Sequence, residues 1–249
     1  AVLSGVVVKS GVLAMIRTVF YVVGADVVRG SFVQNVWMVL ALLTIVMGST
    51  RAFHENVFKK RLAYSTVSQL SYVLFGLSTL HPIGVAGALL HVLFHSVAKS
   101  LLFLSAGSVI HQSGKTNVSE LRGIGRQMPI TLACFTLGSL SLVGIPPFAG
   151  FFSKWYLANG ALASEINVFC WLGPVILLLS ALLTAGYLFP IAVSGFLPGK
   201  AYDKNPAKKC EAGLSMTIRM MSLAALALIL GLFGKGIIDF VLQLATSLM

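Results

Sequence analysis

Residues 84 to 111, GVAGALLHVLFHSVAKSLLFLSAGSVIH, form an apolar run that nevertheless carries His91, His95 and Lys99 near its middle. At about 1.5 Å of rise per residue the run is roughly 40 Å long as a helix, more than the roughly 30 Å of bilayer hydrocarbon. It can therefore span a membrane with tilt to spare. The spacing i, i+4, i+8 sets both imidazoles and the ammonium along one helical stripe about 12 Å long. A cation at mid-membrane costs at least roughly 2.5 to 3.5 kcal/mol on insertion scales, so such residues face a protein interior or a hydrated cavity and mark an ion or proton path. Lys99 also lies too far inside its run to snorkel easily to water.

Other readings of the stripe stay open. Two histidines on one helix face can be packing groups bonded to neighbouring backbone or hydroxyls. H-x3-H is also the spacing of half a metal site, but no HExxH and no nearby acidic ligand completes it, so no metal is expected. Axial haem ligation would need a second mid-span histidine on another helix, and none occurs.

Composition agrees with a membrane protein. Apolar residues make up 57%, charged residues 10%, and the mean hydropathy is +0.92, whereas soluble domains carry about 25% charged residues. The net charge of +11 is spread between long apolar runs, which excludes a continuous nucleic-acid-binding stripe. Cys134, Cys170 and Cys210 lack CxxC spacing and imply no disulfide framework. Signals for a flavin, nicotinamide or iron–sulfur site are absent, so no cofactor is expected and any redox chemistry would belong to partners.

In chain order, the sequence begins at Ala1 inside an apolar stretch, AVLSGVVVKSGVLAMIRTVFYVVG. It lacks the basic lead and small-residue cleavage site of a secretory signal, and an N-terminal part is expected to be missing. Lys9 and Arg17, eight apart, fall roughly on one face, and Lys9 reads equally well as a functional group or a snorkelling anchor. Further spans are expected at about 34–53, 62–80, 84–111, 168–196 and from 218 toward 249. The third opens with RLAYSTVSQLSY, whose Ser65, Thr66, Ser68 and Gln69 suit bonding between helices. Lys235 and Asp239, four apart in the last span, have the spacing of an ion pair.

Residues 130–163, PITLACFTLGSLSLVGIPPFAGFFSKWYLANGAL, would make a helix of about 51 Å. Gly144, Pro146, Pro147 and Gly150 argue against continuity, so a helix broken within the membrane is expected. Irregular backbone at that depth is tolerated only inside protein or beside a cavity, and broken helices recur at transport sites. Lys154, just beyond the break, reads as part of such a site or as an interfacial anchor beside Trp155 and Tyr156.

The result is an all-α, polytopic protein of about seven spans, one of them broken. The loops at 49–61, 112–129 and 197–219 carry twelve basic residues: Arg51, Lys59, Lys60, Arg61; Lys115, Arg122, Arg126; Lys200, Lys204, Lys208, Lys209 and Arg219. The opposite loops carry only Arg29. By the positive-inside rule the three basic loops are cytoplasmic.

The motifs RLAYSTVSQLSYVLFGL, LLHVLFHSVAKSLLFLSAGSVIH and LVGIPPFAGFFSKWYLANGAL resemble, in order and spacing, those of the proton-translocating antiporter-like family. That family includes the antiporter-like subunits of respiratory complex I, the A-type and D-type members of Mrp-type cation/proton antiporters, and relatives in membrane-bound hydrogenases. The opening VVVKSGVLAMIR resembles the family's linking helix. The resemblance implies a linking helix at 1–33, the second of two inverted five-helix repeats at 34–196, and a loop and final helix at 197–249, with the first repeat missing. It implies Lys99 as the central lysine of a half-channel, His95 and His91 as its hydrated neighbours, Lys154 as the terminal lysine and Lys9 as the linking lysine. Other membrane subunits of such an assembly are the implied partners, in a cell membrane, with the FFSKWYL form favouring the D-type antiporter subunit. Within that resemblance, the missing long C-terminal extension argues against the A-type Mrp member and the largest of the complex I subunits. In the implied mechanism, a lysine whose charged form is disfavoured by desolvation takes up and releases a proton near neutral pH, and the histidines hand it on. A structural, non-transporting membrane subunit is the alternative.

Overall fold

The computed structural model describes residues 3–166, 168–199 and 210–249. Of the twelve basic loop residues, Lys200, Lys204, Lys208 and Lys209 lie outside them. The described residues form helices α1 (Leu3–Val23), α2 (Phe32–His54), α3 (Phe58–Ser78), α4 (Pro82–Ser113), α5 (Pro129–Val143), α6 (Ala149–Ala163), α7 (Phe169–Phe196), α8 (Leu214–Leu232) and α9 (Lys235–Ser247). No strand occurs among them. Five of these helices, α1, α2, α4, α7 and α8, are long and apolar enough to cross a membrane alone. The 21-residue α3 has the length but opens with Lys59, Lys60 and Arg61 and carries a polar face.

Local chemistry sets the boundaries. The Ser31 hydroxyl accepts from the Gln34 amide to cap α2, relieving one of the orphan donors of a helix start. At the head of α4, His81 caps the Ile83 amide and Pro82 occupies the first turn, where its missing N–H costs nothing. Gly114 ends α4 at φ 71°, the left-handed conformation that glycine adopts without strain.

Hydrogen bonds between connections gather the segments at two ends of the bundle. At one end Val57 and Asn117 form an isolated bridge, Gly123 N–H donates to Ser194 at 3.0 Å and Cys210 N–H donates to Gln127 at 3.1 Å. Glu211 accepts there from the Ile130 amide at 3.0 Å and the Thr131 amide at 3.2 Å. At the other end Arg29 donates to the Leu80 carbonyl at 3.1 Å and Gln34 to the Ser78 carbonyl at 2.8 Å. The basic connections thus share one end, and the helices alternate between the two as seven crossings require.

α4 is the hub. It packs against α1, α3, α5, α6, α8 and α9, and 56% of its most apolar window is buried, against 17–39% for the other membrane-length helices. With lipid as solvent, close backbone approach rather than hydrophobic burial drives helix association. The α4–α6 contact shows it: a Cβ on Gly160 would collide with the Gly84 backbone. Ser49, Ser68 and Ser180 tie α2, α3 and α7 together, with Ser49 Oγ 2.7 Å from Ser68 Oγ, the interhelical role expected of Ser68.

The expected break lies at residues 144–148, between α5 and α6, each 15 residues and about 22 Å long. The two halves therefore meet near mid-membrane. A second crossing is broken as well. α8 stops at Leu232, and Lys235 opens α9, so the last crossing is two helices rather than one continuous span. Gly231 packs against the first break, where a Cβ would strike the Pro147 carbonyl. Leu90 and Phe94 of α4, Ala149 of α6 and Ile238 of α9 form one apolar cluster at this level. The expected Lys235–Asp239 ion pair is not formed; the pair found among the described residues joins Asp26 and Arg29 at 3.7 Å.

Candidate functional site: a buried lysine and histidine track

The stripe on α4 points into the bundle. Lys99 is fully buried, and His91 and His95 are each only 2% exposed. Lys99 Nζ donates to the Leu62 carbonyl at 2.9 Å and to the Ser65 hydroxyl, both on α3, and sits 5.9 Å from the Phe103 ring centre. Among the described residues no carboxylate pairs with it.

One turn along, the His95 ring stacks on His91 with centroids 5.8 Å apart. Both ring nitrogens of His95 are buried without a protein partner, as is Gln69 Nε2. Buried polar atoms in native proteins are nearly always bonded to protein or to ordered water, so each of these three atoms is suited to bonding water. His91 is held on both sides, by Ser153 Oγ at 2.9 Å on Nδ1 and by Gln69 Oε1 at 3.1 Å on Nε2.

Tyr72 carries the line onward. Its ring stacks on His91 at 5.4 Å, and Lys154 Nζ lies 5.3 Å from the ring centre. The Tyr72 hydroxyl donates to the Leu177 carbonyl at 2.9 Å and so fixes the ring between them. Lys154 Nζ donates to the carbonyls of Leu142 and Val143, each at 2.8 Å. Those carbonyls belong to the last turn of α5, which the break leaves without helical partners, and a cation there also suits the helix dipole. Val143, Gly144, Lys154, Trp155, Pro174 and Leu178 help line a cleft of about 200 Å³ beside it. Trp155, 58% exposed, stands at its rim.

Lys9 approaches the same track from α1. Its Nζ donates to the Ser4 carbonyl at 2.7 Å, and Ser4 Oγ lies 2.8 Å from Thr66 Oγ1, adjacent to the Ser65 that holds Lys99. Arg17, expected on the same face as Lys9, is exposed instead. The turns between them, Lys9–Ile16, are α-helical, and eight residues at 3.6 per turn leave Arg17 roughly 80° around the helix from Lys9, far enough to face outward.

All five expected residues, Lys9, His91, His95, Lys99 and Lys154, are thus brought together. Four further contributors, Ser65, Gln69, Tyr72 and Ser153, were not singled out as site residues. Three of them lie on one face of α3, spaced four and three apart, so their periodicity against the α4 stripe was the available signal. Among the described residues no cluster of His, Cys, Asp or Glu is arranged to hold a metal.

Comparison with known proteins agrees with this architecture. The family model described as "NADH:quinone oxidoreductase/Mrp antiporter, TM" matches residues 1–192. NADH-quinone oxidoreductase subunit N of Desulforudis audaxviator is 34% identical over 98% of this chain and 50% of its own length. The D-type subunit of the Na(+)/H(+) antiporter of Alkalihalophilus pseudofirmus is 29% identical over 100% of this chain and 49% of its own. Among solved structures, a chain of an archaeal membrane-bound sulfane sulfur reductase aligns with a TM-score of 0.85 at 26% identity, covering 99% of this chain and 48% of that one. A chain of the Mrp complex of a Dietzia species aligns with a TM-score of 0.86 at 23% identity, covering 98% and 52%, and shares the fold. The chain spans about half the length of these relatives. On the family match across most of its length, and on a fold shared with chains of membrane complexes, this multi-pass membrane chain belongs to the NADH:quinone oxidoreductase/Mrp antiporter transmembrane family.

Proposed function

We propose that the chain is a proton-translocating membrane subunit, or the second half of one, in a complex I-like oxidoreductase, membrane-bound hydrogenase or Mrp-type cation:proton antiporter. Protons move along Lys99, His95, His91 and Lys154, with Lys9 feeding the line from the linking helix. The observation that carries this reading is Lys99, fully buried, bonded only to a carbonyl and a hydroxyl, and facing two stacked histidines instead of a carboxylate. A purely structural lysine at this depth would be expected to pair with an acid. The host lies in the cell membrane, with residues 1–33 as linking helix, 34–196 as the second repeat, and the basic loops on the cytoplasmic side. Labelling of a Lys115→Cys variant, in a background lacking the native cysteines, is expected from the cytoplasmic face alone. Labelling from outside would invert the assignment.

One observation favours a structural role for a single member. Lys154 closes the broken end of α5, which an anchoring or capping cation would also do. Lys154→Arg separates the two, because a guanidinium donates to both carbonyls but does not release its proton in this pH range. Transport in assembled complexes is expected to fall at least about a hundredfold in Lys154→Arg, the lower end of the range for a lost proton-transfer group, and to stay normal in the exposed control Lys60→Arg. Equal activity in the two would remove Lys154 from the path.

A further inference from the structure

We propose that the outer face of α9 is the seat of a membrane-spanning helix from a neighbouring subunit, one carrying a carboxylate opposite Lys235 and a basic or amide side chain opposite Asp239. This rests on the reading of the chain as a subunit of a membrane assembly and names the surface that a partner covers.

Depth is the first ground. Ile238 packs with Leu90, Phe94 and Ala149, and Ala149 begins the half-helix that starts at the mid-membrane break. Gly231, four residues before Lys235, lies against the same break. Leu248 and Met249, at the far end of α9, pack near the Leu80 end of the bundle. α9 therefore climbs from mid-membrane toward that end, and its first turn stands in the hydrocarbon layer, not at the headgroups.

The second ground is the composition of its two faces. Ile238 and Ala245 are buried, while Lys235, Asp239, Gln243 and Thr246 are exposed along the flank beside that buried face. Thr246 satisfies itself on the Leu242 carbonyl at 2.9 Å, but Lys235 and Asp239 form no ion pair with any described residue. A Cβ at Gly236, between them, would meet nothing within 4 Å. Acyl chains offer no hydrogen-bond partner at this depth, and ionisable groups in a bilayer pair with one another or face water.

Charge then selects the occupant. A second copy related by an axis along the membrane normal would set Lys235 against Lys235 and Asp239 against Asp239 at equal depth, placing like charges together. A different helix of complementary charge satisfies both, and Gly236 lets its backbone approach closely.

The test uses the complete assembly in native membranes. A photo-cross-linking phenylalanine derivative at position 236, compared with position 178 on the exposed face of α7, is expected to give a single protein adduct at least about tenfold above the control. Its cross-linked peptide should map to a membrane-spanning helix of another subunit that contains a carboxylate. Lipid adducts alone, an adduct with a second copy of this chain, or no adduct above control would overturn the proposal. In parallel, the paired substitution Lys235→Met with Asp239→Leu, which keeps α9 helical, is expected to lower recovery of the subunit in the isolated assembly about tenfold, while complexes that do assemble transport protons at the unaltered rate. Full recovery would also overturn the docking surface. Loss of transport through Lys99→Met leaves recovery unchanged, so failure of the transport reading and failure of this one remain separable.

Discussion

Replacing Lys99 with Met is expected to reduce proton pumping by the host assembly at least about a hundredfold, within the usual range for removal of a positioned proton-transfer group, while the subunit stays assembled. Met keeps most of the side-chain length and removes only the charge. The groups that lose the ammonium are not orphaned: Ser65 Oγ already donates to the Leu62 carbonyl at 3.1 Å, and Thr66 Oγ1 donates to the same carbonyl at 3.0 Å. Thermal stability of the complex should therefore hold. Lys99→Arg is expected to fail in transport as well, because a guanidinium remains protonated and its planar fork does not fit a fully buried site shaped for an ammonium. Normal pumping by an assembled Lys99→Met variant would remove this lysine from the path.

His95→Leu should separate function from stability in the opposite direction to most core substitutions. Its two ring nitrogens have no protein partner, so Leu deprives no protein group of a hydrogen bond, whereas a newly orphaned buried polar atom would cost about 1 to 3 kcal/mol. The melting temperature is therefore expected to stay level while proton transport falls about a hundredfold. His91→Leu is the contrasting variant. It strips partners from Ser153 and Gln69, and should lower both transport and stability, the latter by about 1 to 3 kcal/mol for a newly orphaned group. A His95→Leu protein that melts earlier but pumps normally would mean that the ring packs and does not conduct.

Much of the site was readable in α4 because the sequence there is internally inconsistent as a plain span: an apolar run long enough to cross holds two imidazoles and an ammonium at one helical repeat. The break before Lys154 was equally legible, since Gly144, Pro146 and Pro147 cannot continue a helix comfortably. The second break carries a weaker local signal, the glycines Gly231, Gly234 and Gly236 around the Phe233 cap with no proline among them, and Gly231 packs there where a Cβ would strike the Pro147 carbonyl. Composition also could not divide the polar head of α3. Ser68 bonds to Ser49 and Ser180 as interhelical glue, whereas Ser65 and Gln69 turn to Lys99 and His91. The residue types are alike, and the face on which each sits decides. Tyr72 reads as an ordinary aromatic core residue until its ring is seen between His91 and Lys154. Arg17 departs from Lys9 because eight residues of ordinary α-helix leave the two roughly 80° apart, so a shared face was only approximate.

In the proposed relay Lys154 serves both fold and path. Its ammonium completes the open end of α5 and stands next to the cleft at Gly144 and Trp155, so the group that holds the break together is also the one placed where the buried line reaches the edge of the bundle.

The central claim, that protons pass through this chain along the Lys99 to Lys154 line, is tested most directly by following internal pH in sealed vesicles containing the purified assembly while a potassium diffusion potential is imposed. With equal amounts of assembled complex, proton entry is expected to be well above that of protein-free vesicles for the unaltered chain and to fall to the protein-free rate for Lys99→Met. Equal, rapid proton entry in both would contradict the account.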